Sequence, residues 1–322
     1  MKKIIPIADF KLNADIQGFY LCKGKHLRTT RAGELFLDLT LQDKTGEIGG
    51  KIWDRVSDFA DKFKAGDAVA VRGRVESYQD KLQLVIGRIN KASLSRYGRY
   101  GFKEEDLVPT SSLDPQKLWA DIGQVIQKMD NKFLKRLITD IYRKNKKTIQ
   151  NIPASISMHY PYRTGFLEHV HSMVQSGEQL AKHYQADVDL LLAGIFLHGI
   201  GKVKELSDTL IPQFTDDGNF IGHTILSRDM IREAATGIKG FPEELLIQLE
   251  HLVITHEGVF GGRYTSKAKT KEALLLQFLD HMDTKLNLFD RVLNDDSEDG
   301  DWTSHRNYFG ASLYKRKPNK TH

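Results

Sequence analysis

The chain has 322 residues, 40% of them hydrophobic and 28% charged, with 26 Gly and 8 Pro. That length fits two domains better than one core, and the composition excludes disordered and fibrous classes. The formal charge is +5, but residues 1 to 101 hold 19 Lys+Arg against 12 Asp+Glu, a net of +7, which leaves −2 for the rest and puts the attraction for a polyanion in the N-terminal part.

The start, MKKIIPIADF, has no long apolar stretch behind its lysines, and no run of about 18 apolar residues occurs anywhere, so a cytoplasmic protein is expected, with no membrane partner. The single cysteine, Cys22, cannot form an intramolecular disulfide. It is read as a buried strand residue rather than a nucleophile, because no partner motif surrounds it. From Gly18 to Lys91 short alternating strands are divided by turns. Leu35, Leu37, Leu39 and Leu41 alternate with Phe36, Asp38 and Thr40, the period of a half-buried strand. Asp43 to Gly46 turns the chain, and Glu47 to Trp53 is the next strand. A helical pattern runs from Arg55 to Lys64, and a strand from Ala68 to Tyr78 points Val69, Val71, Gly73 and Val75 one way. Gln79-Asp80 turns into a last strand, Leu82 to Ile89. Five strands with a short helix between the third and fourth match an OB barrel, though another small barrel remains open. Outward from these strands point Phe36, Lys51, Trp53, Arg72, Arg74 and Tyr78. Aromatics among basic residues can stack bases and neutralise phosphates, so these six are the candidate nucleic-acid-binding face, with a merely solvated surface as the competing reading.

The loop Tyr97 to Pro109, rich in Gly and charge, marks a boundary. Beyond it Asp114-Pro115 opens a helix to Met129, and a second helix, Asn131 to Asn145, ends in basic residues. From about Pro153 helical segments follow one another: Thr164 to Tyr184, Asp187 to His198, Gly222 to Ala235, Pro242 to Thr255 and Lys271 to Leu293. The expected fold class is therefore multidomain, a five-stranded OB β-barrel followed by an all-α domain. The expected boundaries are 1–98 for the barrel, 99–152 for a connector, 153–310 for the helical domain and 311–322 for a basic tail.

Histidines crowd into the helical half. His169 lies on the apolar stripe of its helix while His171 points elsewhere, and His198 ends an apolar helix just before Gly199-Ile200-Gly201-Lys202. His223 opens a helix, His251 and His256 stand near the end of another, and Asp280 shares a face with Asp283. One such histidine is more often a satisfied core residue than a ligand. Several on separate helices can be satisfied together by one or two divalent ions, so both readings stand on chemistry alone. No P-loop or dinucleotide fingerprint occurs: Gly98 to Gly101 and Gly258 to Gly262 lack the flanking strand and helix.

The order of a lone His, Leu197-His198-Gly199-Ile200-Gly201-Lys202, Gly222-His223, His251 with His256, and a late Asp280 resembles the HD phosphohydrolase superfamily. With Leu41-Gln42-Asp43-Lys44-Thr45-Gly46, Lys51-Ile52-Trp53-Asp54 and Leu279-Asp280-His281-Met282-Asp283 the whole chain is similar to the YhaM family of bacterial 3'-5' exoribonucleases, which join an OB-fold to an HD domain. The resemblance implies a first metal at His169, His198 and Asp280, and a second surrounded by His223, His251 and His256. It also implies Lys202 on a phosphate oxygen, Lys202 and Asp280 as catalytic residues, manganese as the cofactor, and single-stranded RNA, with single-stranded DNA besides, as partner. One departure stands out: the Asp that gives the HD domain its name is Gly199. Removing that carboxylate should weaken metal binding and activity, with Asp283 or Glu168 as candidate replacements, and Gly199→Asp is expected to restore hydrolysis. A single-strand-binding protein that keeps the fold without the activity, and a nucleotidase acting on small nucleotides, are the other readings.

Overall fold

The computed structural model describes residues 4–30, 32–79, 81–258 and 267–315. Two compact units result, Met1–Thr110 with Asp208–Gln213, and Ser111–Ser207 with Phe214–His322.

The first unit is built on β1 (Asp15–Thr29), β2 (Leu35–Asp43), β3 (Gly46–Ile52), β4 (Ala68–Tyr78) and β5 (Lys81–Lys91), with α1 (Val56–Ala60) between β3 and β4. They close into a barrel in the order β1-β2-β3-β5-β4, antiparallel throughout except at the β3–β5 seam. Leu37, Leu39 and Leu41 face Val69, Val71 and Val75 inside, as alternation requires. Leu35, at the first position of β2, is exposed and outside this core. The β2–β3 turn is tied by Asp43, whose Oδ1 accepts from the amides of Thr45 at 2.7 Å and Gly46 at 3.1 Å. The α1 helix starts one residue later than the Arg55 to Lys64 pattern because Arg55 takes φ +56, outside helical space, and it ends early, with Asp61 as its C-cap. Cys22 is fully buried, and burial pushes its thiol up to about 11, so it is inert packing. A short helix, α2 (Leu94–Tyr97), follows β5.

The second unit comprises α3 (Pro115–Lys128), α4 (Lys132–Lys144), α5 (Lys146–Ile149), α6 (Gly165–His183), α7 (Val188–Leu197), α8 (Lys202–Glu205), α9 (Asp216–Phe220), α10 (His223–Thr236), α11 (Glu243–Thr255) and α12 (Lys271–Asp295). Its predicted starts follow from caps: Asp114, Asn131 and Asp187 each accept a hydrogen bond from an amide of the first turn. Residues 111–152 are not a free connector. Leu118, Leu137 and Ile138 of α3 and α4 share one core with Phe166, Leu191 and Leu276, so the division falls at Thr110 rather than at 98 and 152. The α7 helix is buried around nearly its whole circumference, which fixes the position of the His198–Gly201 turn at its C-terminal end. Among the described residues no helix is long and apolar enough to cross a membrane. Asp80 of the predicted turn, residues 259–262 of the glycine-rich stretch and the tail from 316 lie outside the described residues.

Candidate functional site

Three helix ends and one long helix deliver the histidines. The α7 helix ends at His198, whose Nδ1 donates to the Ile195 carbonyl at 2.8 Å. A carbonyl only accepts, so this bond places the proton on Nδ1 and leaves the Nε2 lone pair free. His256, after α11, is held the same way by the Val253 carbonyl at 2.6 Å. His169, on α6, gives its Nδ1 to Asp283 at 2.7 Å, and the Ser172 hydroxyl donates to the other oxygen of Asp283. His223, opening α10, is held by Glu205, which accepts from its amide at 3.0 Å and stands 3.2 Å from its Nδ1. Each ring is thus oriented from behind, the arrangement that presents imidazole to a cation.

What the rings present converges. His169, His198 and Asp280 bring one ligand atom apiece within 4.8 Å of each other, and so do His223, His256 and Glu257. The rings form a continuous row, with centroids 5.4 Å apart from His169 to His198, 5.1 Å to His256 and 5.7 Å on to His223. His169 Nε2 lies 3.2 Å from Asp280 Oδ1 but in no acceptable hydrogen-bond geometry, leaving a buried ring nitrogen unsatisfied. A buried nitrogen aimed beside a carboxylate without bonding it fits a shared divalent cation.

The electrostatics of the metal-free site separate the two rings, His198 neutral and His169 protonated at neutral pH, so a cation at His169 must displace a proton. Burial drives His198 well below its ordinary range, so it is neutral, as a ligand must be. Burial works against the charge of Asp280 too, yet His169, His198 and His256 hold its carboxyl below the usual range. For His169 burial opposes protonation, but Asp280 and Asp283 outweigh it and raise the ring to about 9. Lys202 is buried with its Nζ 3.8 Å from Glu205, whose carboxyl is lowered to about 2 against its own burial by His223 and Lys202.

Some expected members stand apart. His251 lies outside both groups: five residues before His256, it points about 140° away around the helix, and its Nε2 accepts from the Lys269 amide at 2.9 Å. Of the two replacement carboxylates, Asp283 orients His169 from behind and Glu168 belongs to neither group. His171 faces Asp121 at 3.6 Å. Three residues of the site have no place among the sequence expectations. Glu257 follows His256 directly, Glu205 lies three residues after Lys202, and His159 packs edge-on to His169 at 5.1 Å, with burial and then His169 lowering it to about 3. Only Glu205 has a local signal, its i,i+3 spacing from Lys202.

Gly199 is enclosed. A Cβ there would lie 2.8 Å from Phe166 Cε2 and 3.4 Å from Lys202 Cε, and Phe166 is fully buried, so a side chain at 199 requires the ring to move. Gly201 is required by backbone approach: a Cβ would meet the His223 carbonyl at 2.2 Å. Its amide donates to Ser227 Oγ at 2.8 Å, which donates on to the His198 carbonyl at 3.0 Å, locking the turn that carries His198.

On the barrel, Phe36 and Trp53 stack at 4.6 Å and 27°, with Lys51 Nζ 5.5 Å from the Phe36 ring and 2.5 Å from Asp38. Arg72, Arg74 and Tyr78 do not join them. They lie on β4, which pairs with β1 and β5, so β1 or β5 intervenes on either way round to β2–β3.

A closed five-stranded barrel joined to a helical unit with two His/carboxylate groups defines an OB-fold nucleic-acid-binding domain coupled to an HD domain. Residues 22–92 match the family model of the OB-fold nucleic acid binding domain, and residues 166–285 that of the HD domain. The chain is 31% identical over 287 residues, 88% of each chain, to a protein of Halalkalibacterium halodurans named 3'-5' exoribonuclease YhaM, and 31% identical over 288 residues, 89% of each, to one of the same name from Shouchella clausii. It belongs to the YhaM family. The second OB-fold domain of replication protein A from Methanococcus maripaludis is similar to 28% of this chain and 94% of its own at 22% identity, with a TM-score of 0.24.

Proposed function

We propose that this protein is a metal-dependent 3'-5' exoribonuclease of the cytoplasm, trimming single-stranded RNA and, secondarily, single-stranded DNA, with manganese as the working ion. The observation that carries this reading is the pair of adjacent His/carboxylate groups, His169–His198–Asp280 and His223–His256–Glu257, whose ring orientation leaves lone pairs directed inward. Divalent ions held there would supply Lewis acidity, acidifying water and neutralising charge on the phosphoryl group. Asp283, Glu205 and the Ile195 and Val253 carbonyls hold the imidazoles in the ligating tautomer. Lys202, pinned beside Glu205, offers its ammonium to a phosphate oxygen. Phe36, Trp53 and Lys51 grip the strand by stacking and charge.

A second reading, a strand-binding protein with the hydrolytic activity weakened or lost, is favoured by one observation: the Phe166 ring stands against the place a carboxylate would need at 199. Both readings are tested together by incubating 5'-labelled single-stranded RNA with the protein and Mn, measuring bound metal in parallel. Stepwise shortening from the 3' end with stoichiometric metal supports the enzyme. Bound RNA left intact by a metal-free protein overturns it in favour of the second reading.

A further inference from the structure

The arginines that β4 carries away from the Phe36–Trp53 pair have a setting of their own. Arg72 is directly opposite Gln17 of β1 and Arg88 of β5, so all three point outward on one rung across three strands. Like charges placed directly opposite destabilise a sheet unless something offsets them. Among the described residues nothing does: neither Arg72 nor Arg88 makes an ion pair, and no carboxylate lines the cleft that they edge. Asp15 faces Arg74 one rung away.

The next outward rung is Phe19, Ala70 and Asn90, where the small Ala70 leaves a floor between the arginines and the segment after β5. That segment supplies the far wall. Tyr97 packs edge-on to Phe19 at 5.6 Å, Tyr100 follows at 6.3 Å and is half exposed, and Arg99 lies over the Tyr100 ring at 4.8 Å. The result is a cleft of about 380 Å³ with two guanidinium groups at one edge, amides of Gln17 and Asn90 within it, and a tyrosine face at the other edge. Its size is within the range of small-ligand sites. A bare polyanion would need only the arginines. The tyrosines opposite them call for a ligand with an anion at one end and a flat ring at the other, which is a nucleotide.

We propose that this cleft binds one nucleotide of an RNA strand, its phosphate between Arg72 and Arg88 and its base against Tyr100, as a second strand contact separate from Phe36 and Trp53. This rests on the strand-binding part of the function proposed above and is independent of hydrolysis. OB-folds ordinarily bind on the face of their second and third strands, whereas this contact lies across β1, β4 and β5.

The test is fluorescence anisotropy with the full chain in EDTA, using a labelled oligouridylate, a salt titration, and uridine 5'-monophosphate as competitor. Arg72→Ala with Arg88→Ala should weaken RNA binding about 10-fold and flatten the salt slope by about 0.7, the value for one phosphate contact on a single strand. The double lysine variant should recover most of both, and Phe36→Ala with Trp53→Ala should weaken binding with little change in slope. RNA carrying 5-iodouridine should photocrosslink to the peptide containing Tyr100. Unchanged RNA affinity and slope in the double alanine variant, with a loss in the Phe36/Trp53 variant, would overturn the cleft contact and leave the strand-binding reading intact. No effect from either pair would overturn both. Monophosphate binding that depends on Arg72 and Arg88 without any effect on RNA would assign the cleft to a free nucleotide and overturn the strand contact. Lost affinity without a Tyr100 crosslink would overturn the placing of the base.

Discussion

The two units hold their charged groups in opposite ways. In the helical unit His169 and His198 are buried beside a part-buried Asp280, and each ring is tied from behind by a carbonyl or carboxylate. On the barrel Arg72, Arg74 and Arg88 are exposed, and among the described residues none of them makes an ion pair. An enclosed site concentrates its effect in a few atoms, because removing one partner strands another in low dielectric. An exposed face spreads its effect over several contacts, each worth little alone.

Substitutions in each unit test this contrast. Asp280→Asn should act most strongly, removing the one carboxylate of the first group; we expect metal binding at that group to be lost and RNA hydrolysis to fall by about 10³-fold or more, several kcal/mol of transition-state stabilisation, with strand affinity unchanged. Metal analysis beside a gel assay checks it, and a parallel loss of RNA binding would blur the division between units. Gly199→Asp alone should give little gain, since its Cβ meets the Phe166 ring, whereas combining it with Phe166→Leu should raise the rate by about 10²-fold over the starting protein. A full gain from the single change would mean that the ring yields freely. Asp283→Asn should lower metal affinity by about 10- to 100-fold while leaving the ligands in place, the usual effect of loosening a ligand's support, measurable by calorimetry.

The smallest effect is on stability against pH in the metal-free protein. His159, lowered to about 3, and the buried His198 and His223, also lowered, are neutral when folded, so the unfolded chain takes up more protons below its ordinary histidine range near 6.5. Their contribution therefore rises with pH up to about 6.5 and then levels. His169 has the opposite sign: its raised value near 9 stabilises fully below about 6.5 and is lost as pH climbs through 9. Melting temperatures in EDTA should peak near neutrality and fall by a few degrees on both sides, and Asp283→Asn should flatten the alkaline arm. A monotonic profile would refute the opposed signs.

The barrel is legible in the sequence because its rule is local. Period-two alternation places Leu37, Leu39, Val69 and Val71 inside and Phe36, Trp53 and Arg72 outside without knowledge of the fold. Strand order is not local, and for that reason Arg72 and Trp53 read as one face when the closure β3-β5-β4 separates them. In the helical unit, apolar periodicity points to His169 and His198, and capping residues give the helix starts closely. Which histidines meet depends on how helices far apart in sequence pack. His251 and His256 look alike in the chain, and only the turn of α11 parts them. Glu257 and His159 carry no local pattern at all and enter through long-range packing. Residues 99–152 read as a connector because they follow the Gly-rich boundary loop and carry none of the clustered histidines, while the buried stripe Leu134, Leu137, Ile138 and Ile141 binds α4 into the core.

The contact between position 199 and the Phe166 ring also governs which variants lie within reach of one another. From the present sequence, adding a carboxylate first crowds a buried ring, and shrinking the ring first opens a void of the kind that costs about 1 kcal/mol or more. Either first step is uphill and only the second recovers the loss, so the two positions form a ratchet: a population drifting by single substitutions is held on the glycine side of the barrier. A library that varies 166 and 199 jointly would cross in one step what sequential selection resists.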